Sequence, residues 1–424
     1  SDNQKFPEVA IDNSYIHLAW VSINGNNKDI IYSRSDDFGE SFSPPLQLNF
    51  TDNNIVAYSQ SGPKIAIYEN KVYITYTDDR SGYTSVYLNV SEDYGNTWQE
   101  EILISDTPYL NAYQDFEVDN NGNLHLIYYN YAANYALEDV RYRFSFGNNI
   151  NFTYSFSIGV VDDSQEPCDC CQPDLEIDSN GDVYVAYRNN ILNNRDTFLA
   201  VKRHNQDGFS EYYQVSNFDD YLTFCPSSGP TIDIKNNNIA VAYTVYYTQN
   251  GYVDTSSLEQ INFYNPIDLN TESSGFPNYP YVLLDNNIHL AWADQASGNW
   301  DVYYGMRDVN TGIMQNIQKI NDDDTNYIQK DQIIYMYDDT LYLFWSDQRN
   351  GNYEIYLSKG ENVTITLGDV NQDLAIDILD IVLVVNFILG QQNPNNSQFF
   401  ASDLNSDNII NIQDIILLVN IILN

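Results

Sequence analysis

The C-terminal segment Gly368–Asn424 contains the same twelve-residue pattern twice. In each copy, oxygen-bearing side chains stand at loop positions 1, 3, 5, 9 and 12, and an apolar residue at position 7 offers its backbone carbonyl. These are the positions from which a twelve-residue loop supplies oxygen ligands to Ca²⁺. The predicted ligands are Asp369, Asn371, Asp373, Ala375, Asp377 and Asp380 in the first loop, and Asp403, Asn405, Asp407, Ile409, Asn411 and Asp414 in the second. The segment is therefore expected to hold two calcium ions.

Each predicted loop leads into an apolar helix, Ile378–Leu389 after the first and Ile412–Leu423 after the second. A solvated acidic run, the alternative, would not place two matching loops before two matching helices. The segment resembles a type I dockerin, a family whose members join secreted proteins to a cohesin partner. It departs from the family at loop position 6, where Leu374 and Asn408 replace the usual glycine. Because asparagine tolerates a positive φ and leucine does not, we expect the second loop to bind calcium more tightly.

Both predicted helices are apolar on nearly every face, and a module of this size cannot bury all of that surface. In the dockerin family, loop positions 10 and 11 often carry hydroxylic recognition residues. Here they are Ile378–Leu379 and Ile412–Gln413, which favours an apolar contact. The predicted partner-binding residues are Ile378, Leu379, Val384, Phe387, Ile388, Ile412, Val419 and Ile422. The expected partner is a cohesin-like protein or another copy of this chain.

The charge of the chain limits its other partners. It has 18 Lys and Arg residues against 59 Asp and Glu, a formal net charge of −41, which opposes binding to nucleic acid or anionic membranes. With 43% hydrophobic residues it can still bury a large core. No apolar run of about 20 residues precedes the C-terminal segment, and no signal segment precedes Ser1. We therefore expect a mature exported form, extracellular or at the cell surface, without membrane insertion.

A weak repeat of about 50 to 59 residues fills residues 1–367. Each copy has a Pro-x-apolar strand, a turn, an aromatic-ended strand, a third strand and a short fourth strand. Four-stranded units repeated radially form a β-propeller. The sequence therefore predicts an all-β propeller of seven blades, with six as the alternative, over 1–367, and a small α-helical paired calcium-loop domain over 368–424. The second strands are predicted at Tyr15–Trp20, Val72–Tyr76, Leu124–Tyr128, Val183–Tyr187, Ile239–Tyr243, Ile288–Trp292 and Leu341–Trp345.

Two predicted turns between third and fourth strands, Ser35–Phe42 and Ser91–Trp98, carry Ser, Asp, Gly, a hydroxylic residue and an aromatic residue at matching positions. They resemble Asp-boxes, the hairpin signature of sialidase-like propellers, in which Asp caps the turn and Gly supplies a positive φ. The resemblance implies that ligands, glycans among them, bind on the opposite face of the disc. We refer to that face as the ligand face.

All four cysteines are predicted to lie in loops of the ligand face, with Cys168, Cys170 and Cys171 before blade four and Cys225 after it. The loop Arg188–Asp196 of blade four should converge on them. Two disulfides are favoured in an exported chain with an even number of cysteines. A copper or zinc site that includes Cys225 is the second interpretation, and a free catalytic thiol is the third.

Charged residues at strand ends give the candidates for catalysis. Asp78, Asp294 and Asp347 end second strands and could serve as the acid, nucleophile or base of a glycosidase. The other candidates are Arg188, Arg195 and Asp196. The alternative is that these groups form surface ion pairs and turn caps. The Arg-Ile-Pro element of functional sialidases is missing, which does not support sialic-acid hydrolysis. The sequence thus favours a non-catalytic propeller assembled through its C-terminal segment over a glycan-active hydrolase displayed by the same segment.

Overall fold

In the residues that it describes, the computed structural model shows seven small antiparallel sheets and three helices. The residues it describes are 2–12, 15–51, 54–133, 136–147, 149–159, 167–269, 275–308, 314–323, 326–361, 367–371, 373, 375–394, 396–405 and 409–423. By internal contacts the chain divides into two compact units. The first is Ser1–Tyr337 with Tyr342–Lys359, and the second is Asp338–Leu341 with Gly360–Asn424.

In the first unit, each sheet is formed by strands consecutive in the sequence, as in the blades of a propeller. Blades one and two comprise Asn3–Asp12 (β1), Tyr15–Asn24 (β2), Asn27–Ser35 (β3), Leu46–Gln47 (β4), and Lys64–Tyr68 (β5), Lys71–Asp78 (β6), Ser85–Ser91 (β7), Ile102–Leu103 (β8). Blades three and four comprise Leu110–Val118 (β9), Leu124–Tyr131 (β10), Leu137–Ser145 (β11), Phe156–Ser157 (β12), and Asp174–Ile177 (β13), Val183–Arg188 (β14), Thr197–Lys202 (β15), Glu211–Gln214 (β16).

Blades five and six comprise Thr231–Lys235 (β17), Asn238–Val245 (β18), Asn250–Ser257 (β19), Ile267–Asp268 (β20), and Asn278–Leu284 (β21), Asn287–Asp294 (β22), Asp301–Asp308 (β23), Met314–Lys319 (β24). Blade seven has Gln329–Tyr337 (β25), Thr340–Asp347 (β26) and Glu354–Glu361 (β27), and residues 362–366 after it lie outside the described part. The predicted seven-bladed fold is confirmed, and the six-bladed alternative is wrong.

The cores of the first unit lie between blades, because both faces of each sheet are apolar. Between blades one and two, for example, Ala19 and Ile30 pack in one buried cluster with Ile65 and Ile74. The ring closes in the same way. Side chains of blade one, Trp20 among them, share a cluster with Ile333 and Phe344 of blade seven. Adjacent blades therefore stabilise each other by burying apolar surface that neither could bury alone.

The two turns predicted as Asp-boxes have the hydrogen bonds that their sequences suggest. Asp37 accepts from the backbone N–H of Ser41 at 2.9 Å, and Asp93 accepts from that of Thr97 at 2.8 Å. Gly95 has a φ of +79°, which favours glycine. Both turns join the third and fourth strands of their blades, so they fix that outer hairpin.

Three histidines stand at equivalent places in the second strands of blades one, three and six. Each is buried and hydrogen-bonded to a residue of its own blade. Each Nδ1 lies 2.6 to 2.8 Å from a tyrosine hydroxyl on the adjacent third strand. The pairs are His17 with Tyr32, His125 with Tyr142, and His289 with Tyr304. These side chains are buried against the sheets of the propeller rather than exposed on the ligand face.

The second unit contains helices Ile378–Ile388 (α1), Asn396–Ser402 (α2) and Ile412–Leu423 (α3). Helices α1 and α3 lie where the sequence predicts them, and α2 was not predicted because its short segment has no clear apolar period. Asp377 caps α1 by accepting from the N–H of Leu379 at 2.7 Å. The core of this unit consists of Val370, Val384, Phe387, Ala401 and Leu418. No helix in the described residues is both long enough and apolar enough to cross a bilayer.

Two predicted partner-binding residues are part of that core, and the prediction for them is wrong. Val384 is 0% exposed and Phe387 is 8% exposed. Both lie on the side of α1 that faces α3, where they pack with Leu418. An almost uniformly apolar helix gives no sign in its sequence of which face is turned inward, so these two residues could not be separated from the exposed ones.

Candidate functional sites

One sector of the ligand face brings together the four cysteines and the predicted loop Arg188–Asp196. Cys170 and Cys225 form a disulfide, whereas Cys168 and Cys171 are buried free cysteines. The Sγ atoms of Cys168 and Cys171 are 2.6 Å apart, beyond the length of about 2.05 Å of a disulfide bond. The structure therefore has one disulfide where the sequence favoured two. The Sγ of Cys168 also lies 3.6 Å from that of Cys170.

Two buried arginines border the sulfur atoms. Arg188 is 1% exposed and pairs with Asp220, also 1% exposed, at 3.2 Å. Asp220 accepts in addition from the backbone N–H groups of Tyr246 and Tyr247. Arg195, 7% exposed, donates from Nη1 to the Sγ of Cys168 at 2.8 Å. The charge of Arg188 is thus balanced by a carboxylate. The side chain of Arg195 instead donates its hydrogen bond to the sulfur atom of Cys168.

The surroundings of the two free cysteines separate their acidities. The hydrogen bond from Cys171, with the nearby Arg195 guanidinium, lowers the pKa of Cys168 to about 7. Burial, together with the same hydrogen bond, raises the pKa of Cys171 well above its usual range. Cys168 therefore carries a negative charge more readily than Cys171.

Each of the three strand-end carboxylates accepts hydrogen bonds from nearby arginine or backbone N–H groups. Asp78 accepts from the Nε of Arg80 at 2.8 Å, and Asp347 accepts from the Nε of Arg349 at 2.9 Å. Asp294 accepts from the backbone N–H groups of Phe276 and Ala296, at 2.9 and 2.8 Å. These three carboxylates belong to blades two, six and seven, and no hydrogen bond or ion pair joins any two of them in the part of the chain that the structure describes.

Asp196 is also held locally. Its Oδ1 accepts from the hydroxyl of Ser216 at 2.9 Å and from the N–H of Phe218 at 3.0 Å. Burial raises its pKa. The side chain therefore ties the loop Arg188–Asp196 to the loop that follows blade four.

The inner strands of the blades surround an axial channel that contains charged residues which the sequence analysis did not single out. Its mouth is a cavity of about 60 Å³, open to solvent and lined by Glu8, Lys64, Asp174, Gln172 and Gln332 among others. Lys64 pairs with Asp115 at 3.1 Å. Burial raises the pKa of Glu8 to about 7. The residue between proline and the apolar position of the repeat is charged in blades one, two and four, which was the available signal.

In the second unit, the predicted calcium loops close on their last acidic residue. Asp380 accepts from the N–H groups of Val370 and Asn371 through Oδ1, and from that of Asp377 through Oδ2. Asp414 makes the matching bonds with Leu404, Asn405 and Asn411. Each loop is thus folded around a fully buried carboxylate. Leu374, Asp407 and Asn408 lie outside the described residues.

Exposed apolar side chains occupy the same positions in both halves of the second unit. On α1 these are Ile378 and Val382, which are 68% and 51% exposed. On α3 the equivalent residues are Ile412 and Ile416, which are 63% and 56% exposed. The other predicted partner-binding residues divide between the two environments: Leu379 and Ile388 are exposed, whereas Val419 and Ile422 are partly buried.

Comparisons with known proteins agree with this architecture. The family model described as dockerin type I domain matches residues 367–423. A search of the curated proteins found no match. Among solved structures, the polysaccharide lyase Uly1 superposes with a TM-score of 0.54 at 10% identity, covering 84% of this chain and 90% of that one.

Two further solved structures superpose with lower scores. The intramolecular trans-sialidase from Ruminococcus gnavus has a TM-score of 0.48 at 9% identity, covering 74% of this chain and 96% of its own. The GH93 alpha-L-arabinofuranosidase of Fusarium graminearum has a TM-score of 0.47 at 12% identity, covering 73% and 94%. From its seven sheets and the family match at residues 367–423, the chain consists of a seven-bladed β-propeller followed by a dockerin type I domain.

Proposed function

We propose that this chain is an exported propeller that its dockerin domain anchors, in a calcium-dependent way, within an extracellular assembly. The observation that carries the proposal is the repeated exposed apolar pair, Ile378 with Val382 and Ile412 with Ile416. A soluble acidic protein gains nothing from exposing four such side chains at equivalent places unless another molecule covers them. The partner is a cohesin-like protein or a second copy of this chain.

Calcium fits the residues of the two loops. Dockerin type I domains bind calcium, and the donors here are carboxylate, amide and backbone oxygens, which this hard cation prefers. Asp369 and Asp403, at position 1 of each loop, are only 4% and 5% exposed. Two buried carboxylates at position 1, with Asp380 and Asp414 at position 12, concentrate negative charge that a cation would neutralise. We propose one ion in each loop.

The non-catalytic assignment of the propeller rests on its candidate carboxylates. A glycosidase needs one carboxyl group free to give a proton and another free to attack or to activate water. Here Asp78 and Asp347 are paired with arginines of their own turns, and Asp294 caps a turn through two backbone N–H groups. Groups held in this way are suited to fixing loops rather than to proton transfer.

A second candidate function is glycan binding or hydrolysis on the ligand face, with the dockerin domain as the carrier. The cavity at the mouth of the axial channel supports it, because Tyr279, Gln172 and Gln332 line it together with charged residues. In the described chain, the Oε1 atoms of Gln172 and Gln332 are buried and have no hydrogen-bond partner. Aromatic rings and amide oxygens around one opening suit a polar ligand such as a sugar, of which a cavity of about 60 Å³ admits only a part.

The test is association of the full-length chain in calcium and after chelation. Static light scattering reports self-association, and a panel of purified type I cohesin domains reports binding to a cohesin. We expect one of the two in calcium and neither after chelation. Because the apolar pair occurs in both halves, the variant Ile378→Asp with Ile412→Asp changes both. Burying the exposed parts of two isoleucines contributes about 3 kcal/mol, so we expect at least about a 100-fold loss of affinity.

The matched control is Tyr154→Asp, which places the same charge on a side chain of the propeller that is 96% exposed. It should bind as the natural chain does. Calcium-independent behaviour, absence of any association with cohesins or with itself, or full binding by the double variant would each contradict the proposal.

A further inference from the structure

The four cysteines of the ligand face form one chemical unit, because their sulfur atoms are in contact across two loops. Cys168 and Cys171 are 0% exposed, whereas Cys225, bonded to Cys170, is exposed at the surface. The Sγ of Cys168 lies 2.6 Å from that of Cys171 and 3.6 Å from that of Cys170. A buried pair of free cysteines therefore touches a disulfide whose other end reaches solvent.

The charge of the buried Arg195 decides whether Cys168 is a thiol or a thiolate. A guanidinium is always ionised in a protein, and burying it without an anion is costly. Asp220 supplies the anion for Arg188. Arg195 has Cys168 as the acceptor for its Nη1, and its Nε has no partner among the described residues. A neutral thiol or a disulfide sulfur is a weak acceptor, so the guanidinium selects the thiolate of Cys168.

We propose that Cys168 is a nucleophilic thiolate that exchanges with the Cys170–Cys225 disulfide, with Cys171 as the resolving thiol. In the first step the sulfur of Cys168 attacks the Sγ of Cys170. A Cys168–Cys170 bond forms, the Cys170–Cys225 bond breaks, and the electron pair leaves on Cys225, which takes a proton from solvent.

In the second step Cys171 attacks Cys168 and expels Cys170, which takes up the proton that Cys171 loses. The products are a buried Cys168–Cys171 disulfide and the free thiols of Cys170 and Cys225. Two electrons pass from the buried pair to the surface-reaching pair, and no outside oxidant is consumed. The exchange also frees the loop that carries Cys225 from its covalent link to the loop before blade four.

The Cys171→Ser variant isolates the first step, because it leaves one disulfide and one thiol. Full-length protein in calcium is treated with iodoacetamide in its native state, quenched with acid over a time course and mapped as non-reduced peptides. We expect the intact Cys170–Cys225 disulfide to disappear while Cys225 becomes alkylated and Cys168 becomes linked to Cys170. Retention of the Cys170–Cys225 disulfide, with no label on Cys225, would overturn the proposal.

Three further variants separate chemistry from folding. Changing Cys168 to Ser in the Cys171→Ser background should leave Cys225 unlabelled; labelling at the same rate would show that Cys168 is not the nucleophile. Arg195→Gln should slow labelling at least about tenfold at pH 7 and move the rate profile to higher pH, whereas Arg195→Lys should keep the profile near that of the parent. A profile that is the same for Gln and Lys would remove the role given to Arg195.

Discussion

Glu8, in the axial channel of the propeller, should make the stability of this unit depend on pH, and Glu8→Gln should reduce that dependence. Glu8 lines the cavity at the mouth of the channel with Lys64 and Asp174. Burial raises its pKa from an ordinary value of 4.5 to about 7, against the opposing effect of the Lys64 ammonium. The nearby carboxylate of Asp115 adds to the rise.

The sign follows from proton linkage. Between pH 4.5 and about 7 the folded state binds the proton of Glu8 more tightly than the unfolded state does. The stability that this provides is fully present below pH 4.5 and is lost as the pH rises to about 7. The whole interval corresponds to about 3 kcal/mol. Because solvent in the open cavity screens Glu8, we expect about 1–2 kcal/mol.

Urea unfolding at pH 5 and pH 8, in constant calcium, measures the effect. All five tryptophans lie before residue 346, so their fluorescence reports on the propeller alone. The natural chain should lose about 1–2 kcal/mol more between the two pH values than Glu8→Gln does. The control Glu100→Gln removes the same charge from an exposed site and should behave as the natural chain.

Other acidic residues of the channel also make the stability of the propeller fall as the pH rises. Burial raises the pKa of Asp233 to about 6 and that of Glu117 well above its usual range. The natural chain and Glu8→Gln should therefore both lose stability as the pH rises, and the test is the difference between them. If Glu8→Gln and Glu100→Gln showed the same pH dependence, the protonation assigned to Glu8 would be wrong.

Two more predictions concern the calcium loops and the blade turns. Asp403→Ala should reduce calcium-dependent helicity more than Asp369→Ala does, because Asn408 suits loop position 6 better than Leu374. Circular dichroism during a calcium titration measures the helicity of each variant. A larger loss in Asp369→Ala would refute the prediction. Gly95→Ala should cost about 1–3 kcal/mol more in thermal unfolding than Gly82→Ala. Both glycines have a φ near +80°, but a Cβ at Gly95 would stand 1.9 Å from the hydroxyl of Tyr32, whereas one at Gly82 meets nothing within 4 Å, so equal losses would contradict this account.

The fold could be predicted because its signals are periodic and local. Each blade repeats, within its second strand, an apolar segment that ends in a tyrosine or tryptophan, and each calcium loop repeats its ligand spacing. Contacts between distant residues left no such signal. The pairing of Arg188 with Asp220 spans 32 positions, and nothing in the spacing of the sequence identifies that carboxylate as the partner. The channel charges likewise come from separate blades.

The same limit applies to which cysteines pair. Cys168, Cys170 and Cys171 lie within four residues, so the sequence places all three near Cys225 without ranking them. The choice depends on side-chain direction: Cys170 points toward the loop of Cys225, whereas Cys168 points toward Arg195. Direction within a loop is set by tertiary contacts, which a single sequence does not display.

The closure of the ring has a mechanical consequence for a protein held by its C-terminal domain. The N-terminal strand β1 belongs to blade one, and blade seven is joined to it by the shared apolar cluster and by hydrogen bonds such as that from Gln4 N–H to the carbonyl of Tyr353. Tension applied through the dockerin domain enters the propeller at blade seven, which precedes that domain along the chain. Under load, the apolar cluster and the hydrogen bonds between blades one and seven therefore resist the separation of blade seven from the rest of the ring.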